Sequence, residues 1–171
     1  MHWIIAAFFV PVPLFHVWLH ALLPAWRRAP VLIYVFFVAA WAGAAAILPV
    51  VDRVSPIAFV PSAGLQLISS VFMLIGLSMV CLSLITLGPV RFFVLSVLKP
   101  EGAPATRVTS GIFRFVSHPS YLGILMISFF NFVGSGKLYL AGIFAYFLIT
   151  LPIVILFEER ELAARLSSIR M

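Results

Sequence analysis

The chain has 171 residues, of which 64% are hydrophobic and 9% charged, with a mean hydropathy of +1.20. Soluble domains carry roughly 45–50% apolar and about 25% charged residues, so a water-facing surface is excluded and the bilayer is the solvent. The net charge of +6 comes without a block of Lys and Arg interleaved with aromatics, which argues against nucleic-acid binding. A single cysteine, Cys81, excludes an intrachain disulfide framework.

No alternating ten-residue segments point to a barrel, so the spans are expected to be helices, each satisfying its own backbone. A span needs roughly 20 apolar residues. Stretches free of Asp, Glu, Lys and Arg cover residues 3–26, 29–51, 54–90, 115–136 and 138–157. The first follows a start with no positive n-region and no small-residue cleavage site, so it is expected to remain as a span rather than leave as a signal peptide. It carries His16 and His20, four apart on one helix face after Pro11 and Pro13. That spacing suits a metal or haem pair. No other ligand type is evident at that depth, so a hydrogen-bonded or helix-contact role is expected and no metal site is assigned.

The second stretch holds Ala39, Gly43 and Ala46-Ile47 near small-xxx-small spacing, which reads as close helix packing. The third is too long for one straight span. Pro56 and Pro61 break its beginning, leaving a helix over about residues 64–87 with Cys81 as a packing residue. The longest polar connection follows, from Pro89 to about Phe115. Its apolar run 92–98, between Arg91 and Lys99, is too short to span and is expected to lie at the interface or re-enter. Pro100, Gly102 and Pro104 forbid regular structure beyond it. The fourth and fifth stretches are joined by a short turn over residues 134–137, so they form an antiparallel hairpin.

Nine Lys and Arg residues fall near one side of this arrangement, against Arg53 and Lys137 on the other. The positive-inside rule then puts the N-terminus outside, the C-terminus in the cytoplasm, and gives an odd number of spans. The expected fold is an all-α integral membrane protein with about five transmembrane helices, a helix 4–helix 5 hairpin and a cytoplasmic pocket. It forms one membrane domain, 1–171: three spans over 1–88, then a loop, the hairpin and a short C-terminal helix over 89–171.

Two clusters could carry chemistry. One runs from Gly111 through Arg114, Ser117, His118, Pro119, Ser120 and Tyr121 to Gly123. Pro119 suits a first helical turn, which puts Ser117 or His118 near the N-cap. The amides there, with an Arg and a His beside them, suit an anion. The other is Glu158-Glu159-Arg160-Glu161-Leu162. Acidic residues at membrane depth are costly and mark function or pairing, while Glu161 and Arg165 at i,i+4 read as a surface pair. An interfacial anchor set and a helix simply leaving the membrane are the plain alternatives. The hairpin brings both clusters to one membrane face.

Arg114, then His118-Pro119-x-Tyr121-x-Gly123, then Glu158-Glu159-Arg160-x-Leu162 resembles the isoprenylcysteine carboxyl methyltransferase and phospholipid methyltransferase superfamily. Its usual pattern is Gly-Pro-Tyr-Arg-Tyr-x-Arg-His-Pro-x-Tyr-x-Gly, a helical hairpin and Glu-Glu. The resemblance covers about residues 111–162. It implies S-adenosylmethionine as cofactor in a cytoplasm-facing pocket, with His118, Pro119, Tyr121, Gly123, Glu158 and Glu159 as the cofactor-binding set. It implies catalytic roles for Arg114, as orderer of the loop or holder of a substrate anion, and for Glu158. The partners would be the lipid bilayer and a hydrophobic or lipid-like acceptor, in a bacterial or archaeal cell membrane. Two departures stand against the pattern. Ser117 replaces the Arg before the His, with Ile112-Phe113 in place of Pro-Tyr. The sequence also ends at Met171, before the Gly, Tyr and basic-proline segment with which such proteins usually continue. These departures keep a non-catalytic, degenerate member as an alternative, and a related sterol-reductase-like enzyme using NADPH as another.

Overall fold

The computed structural model describes residues 2–99 and 106–168, the last two by backbone alone. The irregular stretch expected at Pro100, Gly102 and Pro104 lies outside the described residues, as does Met171. The helices are α1 (His2–Phe9), α2 (Pro11–Ala21), α3 (Leu23–Arg28), α4 (Pro30–Val54), α5 (Ala63–Phe92), α6 (Leu95–Leu98), α7 (Pro119–Ser135) and α8 (Leu138–Ser168), with a 3-10 turn at Gly111–Arg114. Four segments are long and apolar enough to cross a membrane: His2–Ala21, Pro30–Val54, Ala63–Leu98 and Leu138–Leu166. All five apolar stretches are helical, but α7 has 17 residues. At 1.5 Å per residue it is about 25 Å long, against a hydrocarbon core of about 30 Å. The length needed to cross therefore holds for four of the five expected spans.

The local sequence explains the boundaries. Ser62 caps α5 by accepting from the Leu65 N–H. Gly88 leaves helical geometry at φ 70°, ψ 162° just before Pro89, so the regular part of α5 ends at Leu87, as the sequence suggested. Val94, at φ 55°, turns the chain into α6. Ser96, Val97 and Leu98 of α6 are buried, and Val97 and Leu98 pack with Phe15, Leu19 and Ile33. The apolar run 92–98 thus folds back against α2 and α4. Pro119 opens α7 at its first position and Gly136 ends it at φ 67°.

The closest helix contact joins α5 and α7. A Cβ added at Gly123 would lie 2.5 Å from the Gly76 carbonyl oxygen, and one at Gly76 would lie 2.7 Å from that of Gly123. A glycine on each helix allows this approach, and further along α7 a Cβ at Gly134 would lie 2.9 Å from Ser69 of α5. Phe72, one turn from Gly76, and Phe130, two turns from Gly123, stack with centroids 4.5 Å apart. The small residues of α4 play no such part, since Gly43 has nothing within 4 Å of its would-be Cβ. That side of α4 is turned away from the other helices.

The helices form an open arc in which α4 packs on α1 and α2, α2 on α8, α8 on α7 and α7 on α5. Asn131 of α7 fixes the start of α1, donating to the His2 carbonyl at 3.0 Å and meeting its ring nitrogen at 2.8 Å. At that end, Lys137 pairs with Asp52 at 2.8 Å and the Tyr139 hydroxyl donates to the same carboxylate at 2.9 Å. The Ala58 N–H donates to the Gly136 carbonyl at 2.7 Å. These bonds tie the α4–α5 loop to the α7–α8 turn. The ends of the arc, α4 and α5, face each other across a cavity.

Candidate functional site

The first turn of α7 and the end of the apolar part of α8 meet at one end of the bundle, because the tight turn at Gly136 makes the two helices antiparallel. His118, at the N-cap of α7, sets its Nε2 3.2 Å from Glu159 Oε1 and its Nδ1 4.0 Å from Glu158 Oε2. One turn on, the Tyr121 hydroxyl donates to Glu158 Oε1, and its ring lies parallel to that of His118 at 5.9 Å. Arg107, from the segment before the 3-10 turn, donates to Glu159 Oε2. Neighbours on one helix point roughly 100° apart, so Glu158 faces α2 and α7 while Glu159 faces Arg107.

α2 supplies one further group. His16 Nε2 lies 3.7 Å from Glu158 Oε1, and its Nδ1 lies 2.9 Å from the Val12 carbonyl oxygen. Its ring stands edge-on to Tyr121 at 6.0 Å. His20, a turn further, has a buried Nε2 with no hydrogen-bond partner among the described residues.

Below this cluster, Glu161 pairs with Arg165 at 2.8 Å and with Arg27 at 3.7 Å, and its side chain is only 12% exposed. Arg165 donates to the Ser96 carbonyl and Arg27 to that of Val97. The expected surface pair is therefore a half-buried clamp, because α3 and α6 fold against the end of α8.

These polar groups, Arg27 excepted, border a cavity of about 820 Å³, within the range of pockets that hold cofactors and small ligands. Arg107, Ser117, His118, Tyr121, Glu158 and Glu159 line its polar lobe. Phe8, Phe9, Val12, Phe37, Trp41, Leu77, Val80 and Cys81 line an apolar lobe. His16 lies eight positions after Phe8 along α1 and α2, so the apolar lobe reaches about 12 Å from the polar cluster.

Of the residues singled out from sequence, His118, Tyr121, Glu158 and Glu159 come together on the cavity wall. Pro119 and Gly123 are buried in α7 but stand off that wall, and Gly123 backs onto α5. Arg114 is exposed on the 3-10 turn, also off the wall. Arg107 and His16 were not placed at the site by sequence reasoning. Arg107 carried no local signal. His16 stood out through its spacing from His20, but its partner lies on α8.

A model described as the isoprenylcysteine carboxyl methyltransferase (ICMT) family matches residues 67–164, over half of the chain. The match takes in most of α5, all of α7 and the acidic stretch of α8, and leaves out α1 to α4. No curated protein and no solved structure matches the chain.

Proposed function

Since the chain belongs to the isoprenylcysteine carboxyl methyltransferase family, we propose that it is a membrane methyltransferase that takes S-adenosylmethionine in the polar lobe and a hydrophobic, lipid-like acceptor in the apolar lobe. The observation that carries this reading is the convergence of Glu158, Glu159, His118 and Tyr121 at the head of an apolar cavity. The donor set fits the cofactor. Two carboxylates accept from an amino group and from ribose hydroxyls, and aromatic faces such as Tyr121 favour a cation. Glu158 and Glu159 at the head of the cavity disfavour the phosphates of NADPH there, although Arg91, Arg107 and Arg165 also line the wall.

When bound, the cofactor supplies a methyl group already activated on a sulfonium. The protein's share is alignment and dryness. Glu158 and Glu159 hold the polar parts, His118 and Tyr121 pack beside them, and Arg107 balances the charge of Glu159. The apolar lobe aligns the acceptor and keeps water away. Arg114, exposed on the 3-10 turn, is positioned for an anionic group outside the cavity. The charge asymmetry of the sequence assigns this face to the cytoplasm.

Titration calorimetry with S-adenosylhomocysteine tests the reading. The full-length protein binds it, and His118→Ala weakens binding about tenfold or more, the scale of a lost charge-assisted hydrogen bond. Unchanged affinity in that variant sinks the site assignment.

A further inference from the structure

His16 lies outside the matched interval 67–164, yet it sits on the cavity wall where the polar lobe meets the apolar one. Its Nδ1 is 2.9 Å from the Val12 carbonyl oxygen. A carbonyl only accepts, so Nδ1 carries the proton and Nε2 of the neutral ring is left with a lone pair. That nitrogen stands on the side of Glu158, at 3.7 Å from Oε1, too far for a hydrogen bond. Oε1 already accepts from the Tyr121 hydroxyl. Among the described residues the lone pair is therefore unspent, within reach of whatever occupies the junction, and a carboxylate stands beside it to stabilise an imidazolium.

A carboxyl acceptor has lost its proton at neutral pH and needs no such group. We propose that His16 is the base that takes a proton from the acceptor, and that the acceptor is an X–H nucleophile on an apolar tail: an amine, a hydroxyl or a thiol. This rests on the methyltransferase reading above. The acceptor heteroatom forms its bond to the methyl carbon, and the carbon–sulfur bonding pair leaves with sulfur as a neutral thioether. The X–H proton passes to His16 Nε2. Charge balances, since one cation is consumed and one imidazolium formed. General bases of this kind contribute roughly 100- to 10,000-fold.

The test uses the full chain in lipid nanodiscs, with dodecylamine, dodecanol, dodecanethiol and dodecanoate as probes that differ only at the head. Methylation of at least one of the first three, cut at least 100-fold in His16→Gln, supports the proposal if S-adenosylhomocysteine affinity stays within about twofold. Nitrogen NMR of protein labelled on histidine, with His16 assigned by its loss in that variant, adds a readout independent of turnover: a neutral ring protonated at Nδ1 is expected at pH 7.5. A ring protonated at Nε2, or at both nitrogens, overturns the proposal whatever the probes do. So does methylation of dodecanoate alone, of no probe, or at a rate His16→Gln leaves unchanged. So does a fall in cofactor affinity that matches the fall in rate, which marks a structural role. Failure of the unaltered protein to bind S-adenosylhomocysteine overturns the methyltransferase reading too, whereas intact binding with any of these results overturns the His16 assignment alone.

Discussion

Glu158 accepts from the Tyr121 hydroxyl, with the rings of His118 and His16 beside it at 4.0 and 3.7 Å. Removing that neutral donor tests how far the bond matters. Tyr121→Phe keeps the ring and deletes the hydroxyl, so S-adenosylhomocysteine affinity should fall roughly three- to tenfold, the scale of about 0.5–1.5 kcal/mol for one such bond. Calorimetry measures it, and a thermal melt within a degree or two of the unaltered protein separates binding from folding. Gly136 offers a stability test. Its φ of 67° disfavours any side chain, and a Cβ there would lie 1.8 Å from the Phe59 carbonyl oxygen. Gly136→Ala should cost more than about 1 kcal/mol, read as a lowered melting temperature in detergent. The convergence of the candidate residues on α7 and α8 was legible because a short turn puts both ends of one hairpin together. Arg107 and His16 were not, because their partners lie across elements whose neighbours no spacing rule specifies.

The α5–α7 pair holds the site at the scale of elements, since α7 carries His118 and Tyr121. Gly123→Ala sets a methyl 2.5 Å from the Gly76 carbonyl, and backbone on both sides cannot yield without parting the helices. Overpacking of this kind costs about 1–3 kcal/mol. The variant should melt lower and bind S-adenosylhomocysteine more weakly, although Gly123 stands off the cavity wall. Gly43→Ala, with nothing within 4 Å, is the matched control and should do neither. Small-residue spacing alone pointed to α4 as the close-packed helix. Such spacing records that a helix can approach a neighbour, not which one it approaches, and the pair that uses it is Gly76 with Gly123. The break of α5 at Gly88-Pro89 was readable, because those two residues punctuate a helix whatever surrounds them.

Across the whole molecule, hydropathy located all five apolar helices, since the need to bury a backbone in lipid writes itself into segment length. The order of the arc and the cavity between α4 and α5 were not legible, because they depend on which apolar faces meet and every face is apolar. The two ends differ chemically: one gathers Arg107, Arg165 and the acidic cluster, the other the Asp52–Lys137–Tyr139 clamp. In a Cys81→Ala background, a membrane-impermeant maleimide should label Val60→Cys, 86% exposed at the clamp end, in intact cells. It should label Arg114→Cys only after permeabilisation. The reverse pattern contradicts the assigned orientation.

A structure of the protein bound to S-adenosylhomocysteine shows whether one cavity joins a cofactor site to an acceptor site. Ligand density is expected against Glu158, Glu159 and His118, with the thioether sulfur turned toward the apolar lobe that ends at Phe8 and Trp41. Density elsewhere, or a ligand whose sulfur faces away from that lobe, contradicts this arrangement.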